Sequence, residues 1–280
     1  MHENHQDHPP AKPAMNIQKE LFETRRSALR AYQELAVGSS SWLALLRYEF
    51  MQMFLSGLPG ALGLVLRRWA YRRWLGSMGR NVAIGKGVVI RHPAKIRIGD
   101  NVAIDDHCLL DAKGADNRGI DIGSNVVIGR QSILHCKNGD IALGDHVNIG
   151  VNCDITSSNQ VEIGAKTLIA AYAYIVGGDH DISCADTALM DQGRVGKGIA
   201  VEADCWIGAH AVVLDGVRIG SGSIVGAGGV VNRSLPPKSV SAGIPARVLR
   251  DRDTTQAARA DSTEAGPAAH SADLKQKDSS

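Results

Sequence analysis

Aromatic residues are scarce in this chain: Phe, Trp and Tyr together make 4% of 280 residues. A core of stacked rings is therefore excluded, and the 44% hydrophobic content must come mainly from aliphatic side chains. Charge of either sign is not in excess. Lys and Arg number 31 and Asp and Glu 29, a formal net charge of +2, so there is no bulk polyanion-binding signature and nucleic acid is not an expected partner. The five cysteines include no Cys-x-x-Cys pair, which removes the usual zinc and disulfide frameworks. No apolar run reaches the ~20 residues of a transmembrane helix. The start, MHENHQDH, is polar and acidic, so no secretory signal is expected, and a reducing cytoplasm is the natural compartment.

What is present is a rhythm of six. Aliphatic residues recur at Ile98, Ile104 and Leu110; at Ile122, Ile128 and Leu134; at Leu143, Ile149 and Ile155; and at Ile163, Ile169 and Ile175. After a gap the series resumes at Val201 and runs through Ile207, Val213, Ile219 and Val225 to Val231. A period of six fits neither a helix nor a lone amphipathic strand. It predicts an all-β solenoid in which three short strands make one coil and each aliphatic residue points into a triangular prism. A glycine often follows the aliphatic residue, as at Gly99, Gly123, Gly144 and Gly208, and suits a corner where a side chain would crowd the backbone. Four places after the aliphatic residue comes a small inward one, such as Cys108, Ser132, Cys153, Thr167 or Cys205. These cysteines read as buried small hydrophobes. Coils would stack at ~4.8 Å through parallel pairing, and none could bury its apolar face alone.

On these residues the chain resembles the hexapeptide-repeat acyltransferases, in particular the sugar O-acetyltransferases that act on galactosides, maltose, nodulation factors and bacterial polysaccharides. The resemblance covers roughly residues 81–250. It implies a left-handed parallel β-helix, a handedness that chain physics alone does not supply. It also implies acetyl-CoA as donor, a homotrimer with the site between subunits, and no metal. The zinc-binding carbonic anhydrases of the same fold show paired histidines five residues apart. His107, His135, His146, His180 and His210 contain no such pair.

The site residues follow from the same resemblance. The stretch from Ile163 to His180 matches the family pattern of hexads leading to a catalytic histidine, so His180 is the candidate base. Acyl transfer to a hydroxyl needs a group near neutral pKa to take the proton. Asp179 and Asp181 flank it as candidates to orient the ring and meet the acceptor. The segment Asp204-Cys-Trp-Ile-Gly-Ala209 matches the donor-side motif, with Trp206 beside the pantetheine arm, Gly208 at the corner, and the Ala209 amide aimed at the thioester oxygen. A backbone oxyanion donor needs no side chain. Ala227 lies one coil on in the same groove. Arg233, Lys238, Arg247 and Arg250 suit the phosphates of coenzyme A.

The acceptor side departs from the simple galactoside and maltose enzymes. Their paired aspartates correspond here to Ser157 and Ser158, which leaves Asn152, Asp154 and Ser158 as candidate acceptor contacts and removes galactose and maltose as expected substrates. A sugar hydroxyl in polysaccharide or glycolipid assembly is the leading expectation. N-acetylation of an amino sugar nucleotide, serine O-acetylation and a non-catalytic trimeric scaffold are its rivals.

The expected organisation is a disordered stretch 1–16, a helical segment 17–80, the β-helix 81–250 and a disordered tail 251–280. Within the helical segment, residues 50–66 carry no charge, with Arg47 before them and Arg67, Arg68, Arg72, Arg73 and Arg80 after. Trp42, Trp69 and Trp74 lie here too. Aromatics and arginines around a marginal apolar run suggest peripheral contact with an anionic membrane, on its inner face. A helical cap on the first coil is the competing reading, and a true span the third.

Overall fold

The computed structural model describes residues 27–253 apart from 190. The stretch 1–16, the first part of the helical segment expected over 17–80, and residues 254–280 of the expected tail lie outside the described residues.

Three sheets of seven, nine and seven strands wrap a common axis, and within each sheet strands pair from one coil to the next. In chain order a coil visits a first, a second and a third face, then returns to the first. Aliphatic residues on neighbouring coils stand directly in register, as Ile122 on Leu143 and Leu143 on Ile163. Every aliphatic residue of the six-residue series is buried. Burying each such side chain contributes about 1.5–3 kcal/mol, and the whole stack is one continuous core. The ladder begins earlier than residue 81: Ser77–Met78 is already paired with the next coil, and Met78, Ile84 and Ile90 are its first inward set.

The corner glycines answer to close approach between coils. A Cβ on Gly144 would lie 2.6 Å from the amide nitrogen of Ala165 in the next coil, and one on Gly164 would lie 2.5 Å from that of Ala203. Three places after each inward aliphatic residue of the first and second faces the chain turns through the left-handed region. His107, His146 and His210 sit there, with φ of 60°, 61° and 57°. Histidine, asparagine and aspartate are among the side-chain-bearing residues enriched in that region, so these histidines are turn residues. Asparagines at one such corner form a ladder, with Asn81 Nδ2 donating to Asn101 Oδ1 at 3.1 Å and Asn101 Nδ2 to Asn125 Oδ1 at 3.2 Å.

The small inward residues do more than fill space. Cys108 Sγ reaches Gly129 O at 3.2 Å, Ser132 Oγ reaches Gly150 O at 2.9 Å, and Cys205 Sγ reaches Gly220 O at 3.3 Å. Each ties its corner to a carbonyl in the next coil, as buried polar groups require. Burial pushes the Cys108 thiol up to about 11.

Three helices close the first coil: α1 (Ala28–Ala36), α2 (Trp42–Phe50), which runs on as a π-helical turn Met51–Ser56, and α3 (Gly60–Tyr71). Gly63 lets α3 approach the preceding turn, where a Cβ would meet Leu58 O at 2.2 Å. Arg67 is only 1% exposed. Its Nε donates to Ile84 O at 2.8 Å and its Nη1 to Leu58 O at 2.5 Å. It thus satisfies a carbonyl on the open edge of the first coil. The segment is therefore a cap along one side, and Arg67 belongs to that cap rather than to any charged outer surface. Among the described residues no helix is long and apolar enough to cross a membrane.

The far end closes differently. Strand Ser239–Ala242 pairs parallel to Ile224–Val225, and Arg247–Asp251 turns back antiparallel on it. The fold continues past 250: Arg252 Nη1 bonds Gly222 O at 2.9 Å and Asp204 Oδ2 at 3.0 Å.

Candidate active site

The regular winding is interrupted most between Ile175 and Ile199. There a two-stranded antiparallel hairpin, Asp179–His180 against Arg194–Val195, leaves the corner between the third and first faces. His180 stands at its root, exposed. Its backbone amide donates to Asp179 Oδ1 at 2.7 Å. Asp181 Oδ1 accepts the Ser183 amide at 2.9 Å, and these bonds hold its carboxyl below the usual range. Both flanking carboxylates are thus engaged with backbone. The His180 ring has no hydrogen bond or ion pair among the described residues and can meet a ligand.

Beneath the hairpin lie Ser157 and Ser158, both buried, and neither hydroxyl finds a partner among the described residues. Gly178 covers Ser158 so closely that a Cβ there would stand 2.4 Å from the Ser158 hydroxyl oxygen. Ser158 therefore sits under the loop rather than on an open surface. Asp154, on the third face, is half-buried and accepts the Thr156 hydroxyl at 3.0 Å. Asn152 occupies a left-handed corner between the second and third faces.

That second-to-third corner carries the donor-side candidates. Trp206 is half-exposed on the outer side of the second face, between Leu168 and Ile224 of the neighbouring coils. Gly208 and Ala227 touch across coils: a Cβ on Gly208 would lie 2.6 Å from Ala227 N. Some equivalent corner amides are taken by carboxylates, Lys86 N by Asp106 Oδ1 at 2.6 Å and Ser124 N by Asp145 Oδ1 at 2.7 Å, whereas those of Arg130, Val151 and Ala171 have no acceptor among the described residues. The amides of Ala209 and Ala227 have no acceptor among the described residues. They are free donors beside an exposed indole. Beside Ala209, the His210 ring stacks on Tyr172 with centroids 4.9 Å apart, a pairing that the separation of the two residues in sequence conceals.

A cavity of about 560 Å³ opens at the end of this face, lined by Asp204, Ser221, Ile224, Lys238, Arg250 and Arg252 among others. Of the four cations expected at the donor phosphates, Lys238 and Arg250 line it. Arg233 and Arg247 are exposed nearby in sequence but outside the lining. Arg252 was not anticipated, because it falls in the expected tail. Lys238 Nζ pairs with Asp253 at 3.0 Å.

The two groups occupy different corners of one prism. His180 leaves the third-to-first corner and Ala209 lies at the second-to-third corner. One face of near-extended chain separates them, on the order of 15–20 Å. Within a single chain, the hairpin root and the free amides do not converge. No group of three or more metal-ligating side chains is found among the described residues.

Residues 198–233 match the family model described as bacterial transferase hexapeptide (six repeats). A probable acetyltransferase of Mycobacterium tuberculosis is 32% identical over 158 residues, covering 56% of this chain and 52% of that protein. A putative colanic acid biosynthesis acetyltransferase of Escherichia coli is 33% identical over 138 residues, 49% of this chain and 72% of that protein. The galactoside O-acetyltransferase of Escherichia coli is 34% identical over 118 residues, 41% of this chain and 57% of that protein. The chain thus spans about half the length of the mycobacterial relative.

Proposed function

The chain belongs to the hexapeptide-repeat acetyltransferases with a left-handed β-helix, and from that premise we propose that it moves an acetyl group from acetyl-CoA to a sugar hydroxyl in polysaccharide or glycolipid assembly. The observation that carries this reading is His180, exposed and unengaged among the described residues at the root of the hairpin that interrupts the coils. The imidazole takes the proton of the acceptor hydroxyl as its oxygen attacks the thioester carbonyl. The Ala209 amide stabilises the oxyanion of the tetrahedral intermediate. The C–S bond then breaks, and the leaving thiolate recovers the proton from the imidazolium. Trp206 packs along the pantetheine arm, and Lys238, Arg250, Arg233 and Arg247 meet the phosphates.

The separation of the two corners supports a site completed between subunits, His180 from one copy and the amides from the next, in a homotrimer. Asn152, Asp154, Asp179 and Asp181 are the proposed acceptor side, and Ser158, covered by Gly178, is left out of it. The colanic acid relative favours a polysaccharide context over a free galactoside. A non-catalytic scaffold has no use for free amides, a cation-lined cavity and a histidine at a hairpin root together.

The test is release of coenzyme A thiol with a panel of sugar, amino-sugar-nucleotide and serine acceptors. His180→Ala is expected to lower kcat by roughly 10²–10⁴ while the KM for acetyl-CoA stays near wild type. Turnover of that variant close to wild type would remove His180 from the mechanism. Preference for an amino group would move the reaction to N-acetylation.

A further inference from the structure

The helical cap has two sides, and only one of them is used by the fold. Toward the coils, α2 buries Leu45 and Tyr48, and α3 buries Gly63, Arg67, Ala70 and Tyr71. The opposite stripes are also apolar. Leu46 and Phe50 on α2, Phe54 on the π-helical turn, and Leu62, Val65 and Trp69 on α3 are all more than half exposed. Ten of the 23 exposed large apolar side chains among the described residues fall between 42 and 69. A capping helix needs one apolar stripe; a second one facing water marks an interaction surface.

Charge selects the partner. From Phe50 to Gly99 the chain contains no Asp or Glu. Arg47, Arg68 and Arg72 are exposed and meet no carboxylate among the described residues. Arg73 lies over the Trp69 ring at 4.5 Å from its centroid. A symmetric contact with a second copy would set these cations against themselves. A partner that is apolar within and anionic at its surface fits both features at once. The helices cannot span such a layer, so they would lie in its plane.

We propose that the outer stripe of α2, the π-helical turn and α3 docks on an anionic lipid bilayer, with Phe54, Leu62 and Trp69 at the acyl boundary and Arg68 and Arg72 among the headgroups. Arg67 takes no part in it, being committed to the first coil. This docking does not depend on the acyl-transfer reading, since a chain that bound membranes and transferred nothing would leave it standing.

The experiment uses the full chain and vesicles of phosphatidylcholine with or without phosphatidylglycerol, read by co-sedimentation and by tryptophan emission. Binding is expected only to the anionic vesicles, weakening with salt and shifting the emission of Trp42 and Trp69 to the blue. Arg68→Gln with Arg72→Gln should lower partition at low salt by about 25-fold, at roughly fivefold per charge near the surface. Phe54→Ser with Leu62→Ser should abolish binding. All four side chains are exposed, and an unchanged urea midpoint would show the fold intact. Absence of binding to anionic vesicles overturns the proposal. It is overturned equally if the Phe54/Leu62 variant dissociates an oligomer while leaving vesicle binding unchanged, since the stripe is then a copy interface. Binding that appears only after removal of residues 1–26 would assign the stripe to that segment instead.

Discussion

The two ends of the solenoid meet the same demand, an open edge of unpaired backbone, with different means. At the C-terminal end Arg247–Asp251 folds back antiparallel on the second face, while Leu235 bridges to Ile219 on the first and Gly243 O and Ala246 N bond Val230 on the third. At the N-terminal end three helices lie across the first coil, and one side chain with backbone carbonyls of the helical segment supplies what a strand would have. Arg67 takes Ile84 O, the Ser56 carbonyl accepts the Gly87 amide at 2.7 Å, and the Ala36 carbonyl accepts the His92 amide at 3.0 Å. The strand closure leaves a cavity lined by cations. The helical closure leaves a surplus of apolar surface. The C-terminal end closes with one strand and loop contacts and without helices, so the helices carry more than capping requires.

That contrast breaks most sharply at Arg67. It is a buried guanidinium with three carbonyl acceptors, Ile84, Leu55 and Leu58, and burial pulls its pKa down from the usual arginine value. Arg67→Met removes the donor and leaves those carbonyls buried. Each orphaned buried acceptor costs about 1–3 kcal/mol, so a loss of about 3 kcal/mol is expected in urea unfolding, with the KM for acetyl-CoA unchanged. A variant as stable as wild type would mean that water replaces the guanidinium at that edge.

The C-terminal end is probed without touching stability. Arg247→Ala with Arg250→Ala removes two cations from a fully exposed strand. The expected result is a rise of about tenfold in the KM for acetyl-CoA, with kcat kept, as for uniform binding contacts. The same variant should no longer distinguish coenzyme A from its dephospho form. If wild type already fails to distinguish them, these arginines do not meet the 3′-phosphate.

Much of this architecture is legible in the chain because one physical rule is applied at every coil. An inward Ile or Val every six residues, with a corner that tolerates only close approach, leaves no other period to read. Met78, Ile84 and Ile90 obey the same spacing, yet they follow an apolar helical stretch and so escape notice as the first coil. The break in rhythm before Val201 marks the hairpin, and with it the position of His180. Less legible is everything that depends on partners distant in sequence. The left-handed corners that account for His107, His146 and His210 follow from backbone geometry. The stack of Tyr172 on His210 and the hold of Arg252 on Gly222 and Asp204 join residues 38, 30 and 48 apart. Arg67 reads as one more arginine beside an apolar run, and only the packing shows that it faces inward.

The smallest expected effect sharpens the comparison at the joint between helices and coils. Asp111 is buried on the outer side of the third face, with His92 Nδ1 at 3.4 Å, Arg91 Nη1 at 3.4 Å and His135 Nε2 at 3.7 Å. His92 also reaches Glu34 O on α1 at 3.0 Å, so this cluster ties the cap to the stack. Burial pulls the Asp111 carboxyl up, but the His92 bond and the charges of His135 and Arg91 together hold it below the usual range. For His135, burial lowers the pKa, and Asp111 and Asp154 recover only part of that against Lys137 and Arg91. The folded chain therefore binds a proton at His135 later than the unfolded chain does. Between the ordinary histidine value of about 6.5 and the depressed folded value, the unfolded state holds more protons, so stability falls as pH falls. One such group can contribute a slope of at most about 1.4 kcal/mol per pH unit. His135→Gln is expected to flatten the decline in urea midpoint between pH 7 and pH 5 while leaving the midpoint at pH 8 nearly unchanged. A variant with the same slope as wild type would place the acid sensitivity elsewhere, and the N-terminal joint would then hold through its hydrogen bonds alone.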